Sequence, residues 1–152
     1  MVHEPDKPYQ KALKEMVRAD HLIYVSLKYS RTVDVIQSVI SRLVDAFTSA
    51  MKGALEHSYK GEDLKSALHG PKTMTEYLLK AFPETKEHID FYNFLRKLNK
   101  APVLERLNEF RRHVTMVTQV DDKKMDIKIE TVEDYYRKVN NFINLIGERI
   151  EK

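Results

Sequence analysis

An arginine and a histidine in the basic part of this sequence could together cleave RNA. Arg106 and His113 are seven positions apart, which on a helix is about two turns and would place both side chains on one face. An arginine can stabilise a phosphate in transit, and a histidine can transfer a proton near neutral pH. The pair is therefore a candidate metal-independent ribonuclease site with the RNA 2′-hydroxyl as nucleophile. The same spacing also arises often by chance.

Positive charge is concentrated around this pair. Residues 96–113 hold six lysine and arginine residues against two glutamates, whereas the whole chain has a net charge of only +3. A concentrated positive surface beside Tyr92, Phe94 and Phe110 could attract a phosphate backbone. The alternative is a solvated helix whose neighbouring aromatic side chains belong to the core. The candidate nucleic-acid-binding residues are Arg96, Lys97, Lys100, Arg111 and Arg112.

The sequence offers little for other kinds of chemistry. It contains no cysteine, which excludes disulfides, thiolate metal sites and a cysteine nucleophile. Its six histidines include no pair three to five residues apart, so we expect no metal site. The usual phosphate-binding loops and the G-x-S-x-G nucleophile motif are absent, and we expect no cofactor.

Composition and length indicate one ordinary soluble domain. The 152 residues are 42% hydrophobic and 32% charged, which is a globular balance, and we assign residues 1–152 to a single helical domain. No apolar run approaches the roughly 20 residues that span a membrane, and the first residues lack an apolar signal core. We therefore expect a cytoplasmic protein without a membrane partner.

The stretch 32–57 is the element on which the fold should be built. Its 26 residues contain no proline and would form a helix of roughly 39 Å. The breadth of its apolar face is typical of a central helix that several others contact. Large side chains and alanine recur on that face at steps of three and four: Ile36, Ile40, Leu43, Phe47, Met51 and Ala54.

Small residues on the same stretch indicate a close helix crossing. Ala46, Ala50 and Ala54 are four residues apart, and Ser49 and Gly53 form a second small pair. Gly53 would cost about 1 kcal/mol relative to alanine in mid-helix, so it needs a packing reason. The close neighbour is either the first helix of the same chain, which we favour, or a helix of a second copy.

The remaining pattern predicts an antiparallel, up-and-down bundle of four to five helices with a small β-hairpin. Residues 58–72 are polar and read as a connector with at most one helical turn. The strictly alternating residues 125–130 and the β-branched residues before them predict a hairpin over 117–129. The four principal helices are predicted over residues 8–27, 32–57, 84–100 and 131–150, the last one capped by Thr131. Short extra helices are predicted over residues 74–82 and 103–113.

The layout resembles archaeal members of the HEPN-like superfamily. The resemblance is carried by ADHLIYVSLKYS at residues 19–30, the long helix after it, and RLNEFRRH from Arg106 to His113, which fits R-x6-H. It extends over residues 8–150. It implies a helical bundle that dimerises so that two such motifs face each other, and in active members a metal-independent endoribonuclease site.

One departure from the family pattern bears on activity. Active members usually carry Asn, Asp or His directly after the arginine, whereas here Leu107 follows Arg106 and Asn108 comes one place late. We therefore expect a non-catalytic HEPN-like homodimer that binds a nucleic acid, a nucleotide or a protein, such as a nucleotidyltransferase-type partner. The alternative is an endoribonuclease that uses Arg106 and His113.

Overall fold

Helices form most of the computed structural model, which describes residues 6–150. Residues 1–5 and 151–152, and with them His3 and the start of the polar N-terminal segment, lie outside the described part. A π-helical segment (Leu22–Ser26) joins the first two helices, and a 3-10 turn (Pro83–Thr85) precedes the sixth. The α-helices are α1 (Pro8–His21), α2 (Leu27–Ser30), α3 (Val33–Ser58), α4 (Gly61–Ala67), α5 (Pro71–Ala81), α6 (Lys86–Lys100) and α7 (Ile129–Ile150). The strands are β1 (Val103–Leu107), β2 (Thr115–Val120) and β3 (Lys123–Ile127).

The predicted central helix is confirmed as α3, which packs against α1, α5, α6 and α7. Its start is fixed by Thr32, whose hydroxyl oxygen accepts a hydrogen bond from the Val35 N–H at 3.3 Å. In the core, the Phe47 ring lies between Tyr92 of α6, at 4.6 Å between centroids, and Phe142 of α7, at 3.8 Å. All three rings are buried, so this stack joins the three longest elements of the fold.

The small residues of α3 accommodate α1 of the same chain. A Cβ on Gly53 would lie 3.3 Å from the Cβ and the backbone nitrogen of Tyr9, which leaves almost no room for a side chain. On the other side of Tyr9, a Cβ on Gly147 of α7 would collide with the phenolic oxygen. Tyr9 thus lies between two glycines, and the close crossing is within one chain, as we favoured.

The helix predicted over residues 103–113 is wrong. Residues 103–107 form β1, which pairs antiparallel with β2 so that Arg106 lies opposite Met116. Pro102 cannot donate a backbone hydrogen bond, and the chain then runs as an extended edge strand. Positive φ angles at Asn108 (54°) and Phe110 (67°) end it in a turn that no helix can contain. The apolar residues of this stretch are three and four positions apart, as in a helix, but a stretch this short does not distinguish a helix from a strand.

The hairpin predicted over residues 117–129 is confirmed as β2 and β3. Val120 pairs with Lys123, so the connection has only two residues, Asp121 and Asp122, both with positive φ. These aspartates adopt the left-handed conformation that the tightest hairpins require, so a two-residue turn is sufficient. The sheet has the order β1-β2-β3, and its first strand, β1, was not predicted.

The predicted count of four to five helices is not exact. The connector at residues 58–72 contains α4, which has seven residues rather than one turn. The last helix begins at Ile129, two residues before the predicted cap, and the Thr131 hydroxyl instead accepts from the Lys128 N–H at 3.1 Å. Within residues 6–150, no helix has the length and hydropathy required of a membrane-spanning segment.

Candidate nucleic-acid interface

The two candidate catalytic residues lie in different elements instead of on one helical face. Arg106 is in β1, and His113 is exposed in the loop that precedes β2. The Arg106 guanidinium donates to the Asp34 carboxylate at 3.0 Å and lies 3.6 Å from the Glu109 carboxylate. The His113 carbonyl oxygen accepts from the Thr115 hydroxyl at 2.8 Å. The structure thus provides Arg106 with two carboxylate partners and no contact to His113.

The carboxylates change what Arg106 can do. The hydrogen bond and the charge of Asp34 raise the pKa of Arg106, and Glu109 adds to the same effect. The guanidinium is therefore charged, but two negative groups already compensate that charge. An arginine held in this way has a weaker attraction for a phosphate than a free one, because the phosphate must compete with its carboxylate partners.

Three of the predicted binding residues line one basic pocket between α5 and α6. Its volume is about 370 Å³, and no carboxylate lines it. We call it the α5–α6 pocket. Such a lining is suited to an anion, because cations and neutral hydrogen-bonding groups surround the space. The lining residues are Lys72 and Thr75 of α5 and Asn93, Arg96, Lys97 and Lys100 of α6.

The cations of this pocket differ in whether a nearby carboxylate already neutralises their charge. Lys97 donates to the Asp121 carboxylate at 2.8 Å, so its charge is partly neutralised. Within residues 6–150, Lys72, Arg96 and Lys100 form no ion pair. Three positive charges therefore face the pocket and its solvent without a carboxylate partner.

Buried groups position Arg96. Its guanidinium lies 5.9 Å from the centre of the Tyr92 ring, over which the cation is attracted by the π-electrons. The hydroxyls of Tyr92 and Thr48 share a hydrogen bond of 2.7 Å, which fixes the ring against α3. Burial raises the pKa of Tyr92, against the lowering effects of Thr48 and Arg96, so the phenol stays neutral at neutral pH. The buried Tyr92 ring thus helps to position Arg96 at the pocket.

The other two predicted binding residues lie elsewhere. Arg111 and Arg112 are in the exposed loop between β1 and β2, and Arg112 lines a separate cavity with Lys28 and Arg31. The five predicted residues therefore form two surfaces rather than one continuous patch. Lys72 was missed because it was assigned to the connector at residues 58–72. Only the packing of α5 against α6 brings Lys72 to the pocket.

A larger cavity of about 450 Å³ lies between α1 and α3, but its charges compensate one another. Glu15 accepts from Arg18 at 2.5 Å and from Arg42 at 3.1 Å. Burial, and then the charge of Glu15, raises the pKa of Asp45, while Arg42 opposes the shift. This cavity therefore has less net attraction for an anion than the α5–α6 pocket.

No protein-family model, curated protein or solved structure matches this chain. Within residues 6–150, no three histidine, aspartate or glutamate side chains are grouped as a metal site requires. The α5–α6 pocket and the β1–β2 loop are the two surfaces that carry the predicted binding residues.

Proposed function

We propose that this protein is a non-catalytic, HEPN-like module that binds nucleic acid through the phosphate backbone. The observation that supports the proposal is the α5–α6 pocket, where Lys72, Arg96 and Lys100 form no ion pair with any carboxylate of residues 6–150. Each cation that neutralises a phosphate releases a condensed counterion, which favours binding at low salt. Arg96 can contact a phosphate with two parallel N–H groups, and the exposed Asn93 adds a neutral amide donor, whereas the Thr75 hydroxyl already donates to the Lys72 carbonyl oxygen.

The catalytic alternative has less support. An Arg106–His113 ribonuclease needs an arginine that is free to hold the phosphate, whereas Arg106 is bound to Asp34 and Glu109. The homodimer and a nucleotidyltransferase-type partner stay predictions. The small-residue stripe of α3 no longer favours a dimer, because α1 of the same chain packs against α3, with Tyr9 beside Gly53.

Binding to a short fluorescein-labelled RNA, followed by fluorescence anisotropy at several salt concentrations, tests the proposal. Lys72 and Lys100 are both exposed, so Lys72→Ala/Lys100→Ala should fold normally. We expect this double variant to lose about tenfold or more in affinity. The slope of log K against log salt should also become less steep by about 1.4 to 1.8, since two phosphate contacts are lost.

A charge-matched control combines Lys86, at the other end of α6, with Lys138 of α7. Lys86→Ala/Lys138→Ala also removes two positive charges, but these two lysines are in exposed ion pairs with Asp90 and Asp134. We expect its affinity to stay within about twofold of the wild type, since no phosphate contact is lost. If both double variants bind equally, the attraction is general and the pocket is not the site. If the wild-type protein does not bind RNA at low salt, the proposal is wrong.

A further inference from the structure

Three aromatic side chains are exposed on segments that adjoin the contact between the β1–β2 loop and the end of α2: Phe110 in the loop, Tyr29 in α2 and Tyr24 in the π-helical segment before it. The exposed fraction is 76% for Phe110, 81% for Tyr29 and 50% for Tyr24, whereas Phe47, Tyr92 and Phe142 are buried in the core. Scattered exposed apolar residues are ordinary, but several aromatic rings at one place indicate a binding surface. We call these three residues, together with Arg111 and Arg112, the aromatic surface.

The backbone holds Phe110 out of the core. Its N–H donates to the Arg31 carbonyl oxygen at 2.7 Å, which fixes the loop to the end of α2. The Arg111 N–H donates to the Asn108 carbonyl oxygen at 3.1 Å, and the Val114 N–H donates to that of Arg111 at 3.1 Å. The positive φ of Phe110 is costly for a bulky residue, yet these three hydrogen bonds retain it. The backbone that carries the exposed ring is therefore held in place.

A cavity of about 340 Å³ lies beside this contact between the β1–β2 loop and the end of α2, with Tyr24, Arg31 and Arg112 in its lining. Ile23, Leu27 and Ile129 give it an apolar floor, and Tyr24 lines one side. Tyr24 belongs to the π-helical segment, a rare conformation that is frequent at functional sites. The cavity combines an apolar floor, one aromatic wall and a charged rim, which is a lining suited to a planar, hydrogen-bonding ring.

The rim carries charges of both signs, none of them in an ion pair within residues 6–150. Lys28, Arg31 and Arg112 can contact phosphates. Glu130 and Glu133 repel phosphates, but a carboxylate accepts hydrogen bonds from the amino groups of bases. This combination favours a base inside the cavity with its backbone directed to the cationic side.

We propose that the aromatic surface binds unpaired bases, so that the protein selects single-stranded over double-stranded nucleic acid. The inference rests on the proposed function, because the α5–α6 pocket supplies the general attraction for phosphates. Unpaired bases expose faces that can stack on Phe110, Tyr29 and Tyr24, whereas the bases of a duplex are already stacked on one another.

The two surfaces lie at opposite ends of β1. The strand has five residues, which at about 3.3 Å each span roughly 17 Å. A single strand of several nucleotides can therefore contact the α5–α6 pocket at one end and the aromatic surface at the other. The exposed outer side of β1 lies between them.

The test compares a labelled single-stranded RNA with a duplex that has the same number of phosphates. We expect the wild type to bind the single strand at least tenfold more tightly. Phe110→Ala/Tyr29→Ala should remove most of this preference, leaving duplex affinity and the salt slope unchanged. Val17→Ala, at an apolar position of α1 that is also exposed, is the control and should bind like the wild type.

Several results would overturn the inference. Equal wild-type affinity for single strand and duplex would do so, and so would an aromatic double variant that retains the preference. If that variant dissociates a dimer while RNA binding is unchanged, the surface is a protein interface. The proposed function fails separately, when Lys72→Ala/Lys100→Ala binds both RNAs as the wild type does. If the aromatic variant alone leaves binding unchanged, only this inference is lost.

Discussion

The Arg106 guanidinium donates to the Asp34 carboxylate at 3.0 Å, although the two residues are 72 positions apart in the chain. Arg106 is in β1, and Asp34 is in the first turn of α3. The contact therefore attaches the edge strand to the start of the central helix. It also occupies the one arginine that the ribonuclease alternative requires.

We expect no RNA cleavage that depends on Arg106 or His113. In buffer with EDTA, the wild type, Arg106→Ala and His113→Ala should leave a labelled RNA equally intact, because Arg106 is held by carboxylates and does not contact His113. Denaturing gel electrophoresis measures the intact fraction. Cleavage by the wild type that is lost in both variants would restore the ribonuclease alternative. The stability of Arg106→Ala should stay close to that of the wild type, since the pair is exposed.

Gly147→Ala should destabilise the protein, contrary to the usual effect of replacing glycine in a helix. The exchange normally stabilises a helix by about 1 kcal/mol. Here the new Cβ would collide with the Tyr9 hydroxyl and lie 3.1 Å from its Cζ. That hydroxyl also donates to the Ile143 carbonyl oxygen at 3.3 Å. We expect a net loss of about 1–3 kcal/mol in urea unfolding, which is typical of overpacking.

Tyr9→Phe provides the matched test of this packing. The single variant should lose about 1 kcal/mol with its hydrogen bond. Adding Tyr9→Phe to Gly147→Ala should recover part of the stability, because the atom in collision is gone. Additive losses in the double variant would mean that Tyr9 does not restrict position 147.

Stability should decrease below about pH 6.5, partly because of His88. Burial lowers the pKa of His88, and the nearby charge of Glu87 only partly opposes the shift. The centre of the His88 ring lies 5.5 Å from the centre of the Phe142 ring. His88 and Lys138 both line one surface cavity. Between the lowered pKa and about 6.5 the unfolded chain binds more protons, so folding becomes less favourable as the pH falls.

His88→Gln should remove this part of the pH dependence. Urea midpoints at about pH 7.5 and pH 5 measure it, since these values lie on both sides of the ordinary histidine pKa. We expect a smaller difference between the two midpoints in the variant than in the wild type. The same difference in both proteins would show that other groups cause the acid sensitivity.

Phe47→Ala should cost about 3–5 kcal/mol, a large fraction of the stability of a domain of this size. The reason is the loss of a buried ring that contacts Tyr92 and Phe142 on its two sides. Phe110→Ala is the control, because its ring is 76% exposed and its removal should change stability by less than about 0.5 kcal/mol. Urea unfolding of both variants gives the comparison, and equal losses would contradict the assigned core.

The sequence predicted best those helices and strands whose pattern of apolar residues lies within the element itself. The apolar face of α3 was predicted because it depends on residues a few positions apart. The alternating residues of β3 likewise indicated a strand with one exposed side. Residues 103–107 were misassigned because five residues are compatible with either period, and their pairing with β2 depends on a partner about ten positions away.

The sequence by itself determined the mainly helical class, the central helix, the hairpin and the basic character of residues 96–113. Only the tertiary structure decided how that charge is distributed. It placed Lys72 beside Arg96 and Lys100, directed Arg112 to another cavity, and neutralised Arg106 with Asp34. The reason is physical: helix and strand periods arise from neighbouring residues, whereas a charge is free or compensated according to which distant side chains the packing brings within a few ångströms.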